Sequence, residues 1–164
     1  MPGPTKASAH DIDQMARVGY GEARGEVAVG LLGLVAVCWV IRNRAVAAAA
    51  YKAAHGKPHP LFGDGSIASV CLAHAKNAAG VEVYQFTSEN PADPNEAKLG
   101  AVTLDDPDFQ RCMLAALQAV HAFVPDPTQG AVNYYADTLA VVPSWAAGQP
   151  FVSLGHHRFL TGSA

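Results

Sequence analysis

The chain has 164 residues, half of them hydrophobic, and a formal net charge of −3. A chain of this length can bury a core of its own, and its high apolar content argues against disorder. Lysine and arginine together number eleven and form no dense cluster, so nothing indicates a nucleic-acid-binding surface. We therefore expect one folded domain that does not bind nucleic acid.

The sequence predicts neither a metal site nor a cofactor. Cys38, Cys71 and Cys112 are widely spaced and match no zinc signature or disulfide framework. Cys38 and Cys112 lie in apolar periodic segments, which favours buried free thiols, although one disulfide stays an open alternative. His156 and His157 are adjacent, so on a strand they would point to opposite faces and could not easily share an ion.

The longest apolar run, residues 27–41, is shorter than the roughly 20 residues that span a bilayer. It predicts a buried central helix and not a membrane span. Residues 1–7 look like a flexible arm, and no apolar stretch follows Lys6 as it would in a secretory signal.

The first half of the chain is predicted to be mostly helical. Ser8 to Asp11 has the pattern of a capping box, and apolar residues at helical spacing then predict a helix that ends near Glu22. A second helix is predicted from Glu26 to about Ala50. Glycines and prolines then indicate a loop. Ser66 begins a short helix with His74 on one side.

The second half mixes short extended pieces with one helix. Alternating residues predict a strand over Val81–Thr87. Pro107 at the first helical position opens the clearest helix of the chain, and Pro125 ends it. Short extended pieces follow within 132–136 and 151–160. The predicted fold class is α+β, mainly α, with a small β element.

Glu22 is the foremost candidate for chemistry. It lies at the predicted C-terminal end of a helix, whose partial negative charge disfavours ionisation of a carboxyl there. Partial burial against Tyr20 would act in the same direction, and a protonated carboxyl is what a general acid needs. The alternative is a capping or surface glutamate on a glycine-rich turn, which the spacing alone favours.

Other charged residues flank Glu22 in the sequence. Arg24 and Glu26 could form a short charged network with it. Glu26 could be a second carboxylate, but it also suits the first turn of the next helix, and we favour that structural role. Arg42 and Arg44 either pair with these acids or end the helix with favourable charge.

Two clusters of aromatic and hydrogen-bonding side chains suit sugar binding. Tyr84-Gln85-Phe86-Thr87 precedes a loop, and Asn133-Tyr134-Tyr135 and Trp145 follow later in the chain. Such side chains can stack on sugar rings and bind hydroxyls and acetamides. Half-buried aromatics of an ordinary strand are equally consistent with the pattern.

These segments together resemble the SleB-type cell wall hydrolases, a family of spore cortex-lytic enzymes and phage-like wall hydrolases. The resemblance begins with YGEARGE at residues 20–26 and continues through VIRNR at 40–44. Downstream, YQFT at 84–87, the turn at 126–131 with its following tyrosine pair, and LGHHRF at 154–159 occur in the family's order. The resemblance covers roughly residues 12–160.

The resemblance implies a lysozyme-like fold over residues 8–164 and cleavage between N-acetylmuramic acid and N-acetylglucosamine. It implies that Glu22 protonates the leaving oxygen and then takes a proton from the muramic C6 hydroxyl, which closes a 1,6-anhydro ring. No second carboxylate is then obligatory, in contrast to paired-carboxylate glycosidases. The expected substrate-binding residues are Tyr20, Glu26, Tyr84, Gln85, Phe86, Thr87, Glu89, Tyr134, Tyr135 and His157.

The chain departs from the family where phage-like members often read Ser-Cys-Trp-Asn, since it has Thr87-Ser88-Glu89-Asn90. If Glu89 faces the cleft, it could assist a water and favour simple hydrolysis. The absence of a signal sequence and a wall-binding module suits a monomeric phage or prophage-type endolysin released to the wall through a partner such as a holin. The alternatives are a hydrolytic muramidase and a non-catalytic glycan-binding or virion structural module.

Overall fold

The computed structural model describes residues 6–23, 26 and 30–162, so Arg24 and most of the expected N-terminal arm lie outside the described residues. The described helices are α1 (Ala9–Ala23), α2 (Leu31–His55), α3 (Ile67–Cys71), α4 (Glu96–Ala101) and α5 (Pro107–Val120). The described strands are β1 (His74–Lys76), β2 (Glu82–Tyr84), β3 (Tyr134–Ala136), β4 (Phe151–Leu154) and β5 (His157–Leu160). Two short 3-10 turns, Thr87–Glu89 and Ser144–Ala146, complete the list. The predicted α+β class, mainly α, is confirmed.

Helix α1 begins with the predicted capping box. The Asp11 amide donates to the Ser8 hydroxyl at 3.1 Å, and the Ser8 amide donates to the Asp11 carboxylate at 2.9 Å. Asp11 also accepts the Ala68 amide at 2.9 Å, which joins the start of α1 to α3. Because α1 ends at Ala23, Glu22 occupies its last turn, as the sequence predicted.

Helix α2 is the central helix of the core, but its ends differ from the prediction. Gly30 has φ 123°, outside the helical region, so α2 begins at Leu31 and not near Glu26. It continues past Ala50 to His55, where Gly56 adopts a left-handed conformation and caps it. Its length and hydropathy would suffice to cross a membrane, yet 67% of its apolar 18-residue stretch is buried inside the protein. That burial fits a core helix.

Helix α5 closes the core against α1 and α2. Asp106 caps it by accepting the amides of Asp108 and Phe109 at 2.8 and 3.2 Å, and Pro107 holds the first helical position as predicted. The core also contains the three cysteines, all buried and free: Cys38, Cys71 and Cys112. The expectation of buried free thiols is confirmed.

The strand predicted over Val81–Thr87 is shorter in the structure. Strand β2 covers only Glu82–Tyr84 and pairs antiparallel with β1, which contains His74 and so corrects its assignment to a helix face. Phe86 then enters the core, and the chain coils into the 3-10 turn that starts at Thr87. The strand thus ends two residues before the buried ring of Phe86.

The remaining strands form an antiparallel sheet in the order β3-β5-β4. Tyr134 pairs with Phe159 and Tyr135 with Arg158. Because neighbouring side chains of a strand alternate between faces, the two tyrosines point in opposite directions. The face that carries Tyr134 is the one turned toward the end of α1.

Candidate active site

Glu22 is half-buried and held by the 3-10 turn Thr87–Glu89. The Ser88 amide and hydroxyl donate to Glu22 Oε1 at 3.2 and 3.0 Å, and the Thr87 hydroxyl lies 3.4 Å from the same oxygen. Ser88 itself is only 4% exposed. One carboxylate oxygen is therefore fixed by a segment 65 residues further along the chain. Ser88 was not among the residues predicted from sequence.

Gly21 explains how the 3-10 turn approaches α1 so closely. A Cβ atom on Gly21 would lie 2.4 Å from Ser88 Cβ and 2.8 Å from its Oγ, distances that side chains do not tolerate. Since Gly21 has no side chain, Ser88 can reach the neighbouring Glu22. The glycine before the glutamate thus has a steric function.

Tyr134 and Arg44 lie on another side of Glu22. The Tyr134 hydroxyl interacts with the Glu22 carboxylate, and burial together with that charge raises the pKa of Tyr134. Arg44 is 5% exposed, and burial lowers the pKa of its guanidinium, while the nearby Tyr134 and Glu22 act in the opposite direction. The site therefore places the buried guanidinium of Arg44 near Tyr134 and the candidate acid Glu22.

Arg44 is held in this position by aromatic rings and one backbone carbonyl. Its Nε donates to the Val132 carbonyl at 2.7 Å, and its guanidinium lies 5.2 and 5.0 Å from the Phe62 and Phe86 ring centres. Arg44 Nη1 is buried without a hydrogen-bond partner. Arg44 thus lies inside the protein. The alternative that it ends α2 with favourable charge is wrong, because α2 continues to His55.

The neighbouring Asn43 fixes the loop that leads into β3. Its amide donates to Asp126 at 2.9 Å and to the Ala131 carbonyl at 3.1 Å. Asp126 in turn accepts the Thr128 and Gly130 amides at 2.8 and 2.9 Å. These bonds place the start of β3, and with it Tyr134, against α2.

Glu26 is a buried carboxylate, only 2% exposed, at the hairpin between β4 and β5. Its Oε1 accepts the His156 amide at 2.7 Å and lies 3.1 Å from His157 Nδ1. The carboxylate occupies space that only glycine leaves open, since a Cβ on Gly155 would lie 1.8 Å from Oε2. The prediction that Glu26 lies in the first turn of α2 is wrong, because α2 starts only at Leu31.

A cleft of about 180 Å³ joins the two glutamates. Its walls are formed by Glu22, Ala23, Glu26, Ala136, His156 and His157. Two glutamates and two histidines therefore line one space beside the end of α1. Among residues 6–23, 26 and 30–162, no group of three or more histidine, cysteine, aspartate or glutamate residues could hold a metal ion.

Three of the aromatic residues expected to bind sugar are buried elsewhere. Phe86 is 1% exposed and belongs to the core, so its ring is not free to stack on a sugar. Tyr20 is 8% exposed, and its hydroxyl donates to Asp106 at 2.9 Å, on the side of α5 and not against Glu22. Tyr135 is 7% exposed and packs edge-on against Trp145. Core packing explains all three positions.

The other expected residues are only partly brought together. Glu89 accepts a hydrogen bond from Gln14 at 3.1 Å between α1 and the 3-10 turn, and burial raises its pKa. It is not part of the wall of the cleft around Glu22. Tyr84 stacks on His74, with ring centres 4.9 Å apart, and Gln85 follows it at the end of the β1–β2 hairpin.

Comparison with known proteins finds two solved catalytic domains that this chain resembles. The chain aligns with the catalytic domain of the Bacillus cereus SleB protein at a TM-score of 0.59 and 26% identity, covering 96% of this chain and 94% of that one. It aligns with the catalytic domain of the germination-specific lytic transglycosylase SleB from Bacillus anthracis at a TM-score of 0.58 and 26% identity, covering 96% and 98%. A family model described as a domain of unknown function, DUF7742, matches residues 28–83. No curated protein matches the sequence.

The fold and the helix-end glutamate beside a cleft define a lysozyme-like catalytic domain. The alignment covers nearly the whole of both chains, so the likeness extends to the complete SleB catalytic domain. The chain is therefore similar to SleB catalytic domains in fold over nearly its whole length.

Proposed function

We propose that this chain cleaves the glycan strands of bacterial peptidoglycan between N-acetylmuramic acid and N-acetylglucosamine. It is an enzyme with a role like that of the lytic transglycosylase SleB. The observation that carries the proposal is the position of Glu22, held at the cleft of a chain that aligns over 96% of its length with SleB catalytic domains.

Glu22 acts as the general acid. Its Oε1 is held by Ser88, so the carboxyl group has a fixed direction relative to the cleft. A positioned carboxyl can protonate the glycosidic oxygen as the bond to the muramic anomeric carbon breaks. The charge left on Glu22 is then stabilised by the Ser88 donors and the Tyr134 hydroxyl.

The product we propose is a 1,6-anhydromuramic end. The muramic C6 hydroxyl attacks the anomeric carbon and gives its proton to the Glu22 carboxylate, which restores the acid, so water takes no part. Supporting this outcome, Glu89, the residue that the sequence offered for assisting a water, accepts a hydrogen bond from Gln14 and does not line the cleft.

The setting we propose is that of a monomeric phage or prophage-type endolysin that reaches the wall with the help of a holin. The support for it is the resemblance of the sequence to a family that includes phage-like wall hydrolases. Expression in the cytoplasm of a susceptible host should cause lysis only when a holin is co-expressed. Lysis of equal rate without a holin would contradict this setting and leave the chemistry untouched.

Product analysis tests the chemistry itself. Purified peptidoglycan is digested with the protein and the muropeptides are identified by mass spectrometry. We expect anhydromuropeptides. Reducing muramic ends would indicate a hydrolytic muramidase, and no release above a heat-inactivated control would indicate a non-catalytic glycan-binding or virion structural module.

A further inference from the structure

The β3-β5-β4 sheet has two faces, and the cleft borders only one of them. Ala136 and His157 are paired between β3 and β5, and both line the cleft. Tyr135 and Arg158 form the neighbouring pair, so their side chains point to the opposite face of the sheet. The proposed chemistry uses no residue of this second face, which we call the outer face.

Two large aromatic rings are exposed on the outer face. Trp145 is 51% exposed and packs edge-on against Tyr135, with ring centres 6.1 Å apart. Phe151 is 45% exposed and is paired with Leu160, which lies on the same face as Arg158. Exposed apolar rings that share one face of a protein indicate a binding surface.

Arg158 lies between these rings and brings a positive charge to the outer face. Its guanidinium carbon is 4.9 Å from the Phe151 ring centre and 6.0 Å from the Tyr135 ring centre. Its Nη1 donates to the Tyr135 hydroxyl at 3.5 Å. Among the residues that the structure describes, no carboxylate forms an ion pair with Arg158. The guanidinium is therefore available to an anionic group of a ligand.

The turn that carries Trp145 is fixed to the sheet. Ala146, the next residue, is buried together with Tyr135 and Leu160 in a small apolar cluster of its own. The Gln149 side-chain amide donates to the Trp145 carbonyl at 2.6 Å. Because the backbone at Trp145 is already held in place, little conformational entropy is lost when a ligand binds there.

An exposed indole near an unpaired guanidinium suits a sugar polymer that carries acidic groups. The apolar faces of pyranose rings stack on aromatic rings, and a guanidinium binds carboxylates through charge-assisted hydrogen bonds. Peptidoglycan offers both, since pyranose rings follow one another along its strands and its stem peptides carry carboxylates. An anionic lipid surface fits less well, because the formal net charge of the protein is −3.

We propose that the outer face is a second binding site for peptidoglycan, separate from the cleft. We call it the aromatic platform, and it consists of Tyr135, Trp145, Phe151 and Arg158. The choice of polymer rests on the proposed function. Because the platform and the cleft lie on opposite faces of one sheet, the platform holds the enzyme on the wall while the cleft releases a cleaved strand.

Co-sedimentation with purified peptidoglycan tests the platform. The parent is the intact chain with Glu22→Gln, so that the polymer is not digested. Trp145→Ala should weaken binding about 10-fold, because tryptophan anchors contribute strongly to binding. Phe123→Ala is the matched control, since Phe123 is 73% exposed at the end of α5, away from the platform, and it should bind like the parent.

Arg158→Gln tests the charge separately from the ring. Binding to intact peptidoglycan should weaken about 3-fold, because the stem-peptide carboxylates lose their cation. The difference should vanish on glycan strands from which an amidase has removed the stem peptides, whereas the effect of Trp145→Ala should remain. Arg111→Gln, at a 56% exposed side chain on α5, is the matched control and should bind like the parent.

Tryptophan fluorescence gives a second measurement that does not depend on the folding of a variant. The chain has two tryptophans, and Trp39 is only 6% exposed, so quenching by acrylamide reports mainly on Trp145. Soluble peptidoglycan fragments should lower this quenching at least 2-fold in the Glu22→Gln chain. Trp145→Phe keeps a ring against Tyr135 and should bind within about 3-fold of the parent.

The proposal is overturned if Trp145→Ala binds as tightly as Phe123→Ala, or if the fragments leave the quenching unchanged. Trp145-dependent binding to phosphatidylglycerol vesicles, or a Trp145-dependent dimer, in place of peptidoglycan binding would also overturn it. The proposed function is tested apart from this, by muropeptide release from the wild-type protein. Cleavage without an effect of Trp145 removes only the platform, and Trp145-dependent binding without cleavage removes only the enzyme.

Discussion

Gly21→Ala tests the link between the shape of α1 and the position of the acid. The new Cβ would lie 2.4 Å from Ser88 Cβ, whereas carbon atoms in contact are normally about 3.5–4.0 Å apart. The 3-10 turn must therefore move by about 1 Å. Ser88 would then be about 4 Å from Glu22 Oε1, beyond hydrogen-bonding distance.

The expected change in the free energy of unfolding is opposite in sign to the change that helix propensity alone predicts. Alanine in place of a helical glycine stabilises by about 1 kcal/mol, but the overpacking costs about 1–3 kcal/mol. We therefore expect the free energy of unfolding in urea to fall by about 1 kcal/mol. A misplacement of about 1 Å at the acid should lower kcat/KM for peptidoglycan by roughly 10- to 100-fold.

Gly19→Ala is the matched control on the same helix. Its Cβ would lie 3.8 Å from Cys38 Sγ, an ordinary contact, so stability should be equal or higher and turnover unchanged. Both variants are compared by turbidity loss of a peptidoglycan suspension and by urea unfolding. If Gly21→Ala matches Gly19→Ala in both measurements, the steric function assigned to Gly21 is wrong.

Three further predictions concern the groups around the acid and the core. Ser88→Ala removes the 3.0 Å hydroxyl donor to Glu22 but keeps the amide, so kcat should fall about 3- to 10-fold; an unchanged kcat would show that the amide suffices. Arg44→Met replaces a charged side chain that is only 5% exposed by an apolar one of similar size. Because a buried charge is costly, the free energy of unfolding should change by less than about 2 kcal/mol, while kcat falls at least about 10-fold. Loss of folding would contradict this prediction. Burial raises the pKa of all three cysteine thiols, for Cys112 to about 12, so a thiol reagent should react only after unfolding, and rapid reaction of the folded protein would contradict the core assignment.

Much of the helical framework could be predicted because its signals are local. The capping box at Ser8 and the proline at 107 act within one turn of the chain, and both helices begin where these residues indicate. The start of α2 was misplaced because Glu26 suits a first helical turn in sequence. The structure uses its carboxylate in a contact with His156, 130 residues away.

The candidate site was predictable only in part for the same reason. Glu22 stands out through its neighbouring glycines and the family resemblance. Ser88 was missed, because its contact with Glu22 depends on the empty side of Gly21, which no spacing rule reveals. The aromatic segment at 84–87 suggested a sugar platform, but Phe86 is needed in the core. A ring that suits stacking on sugar also suits burial, and only the packing decides between them.

Glu22→Gln tests the central claim most directly, because glutamine keeps the size and the Oε1 acceptor for Ser88 but cannot supply the proton. Glu96→Gln, an exposed position on α4, is the matched control. Release of muropeptides from purified peptidoglycan should fall by at least about 1,000-fold for Glu22→Gln, with folding and glycan binding retained, and stay at the wild-type level for Glu96→Gln. Near-normal release by Glu22→Gln would contradict the assignment of Glu22 as the acid.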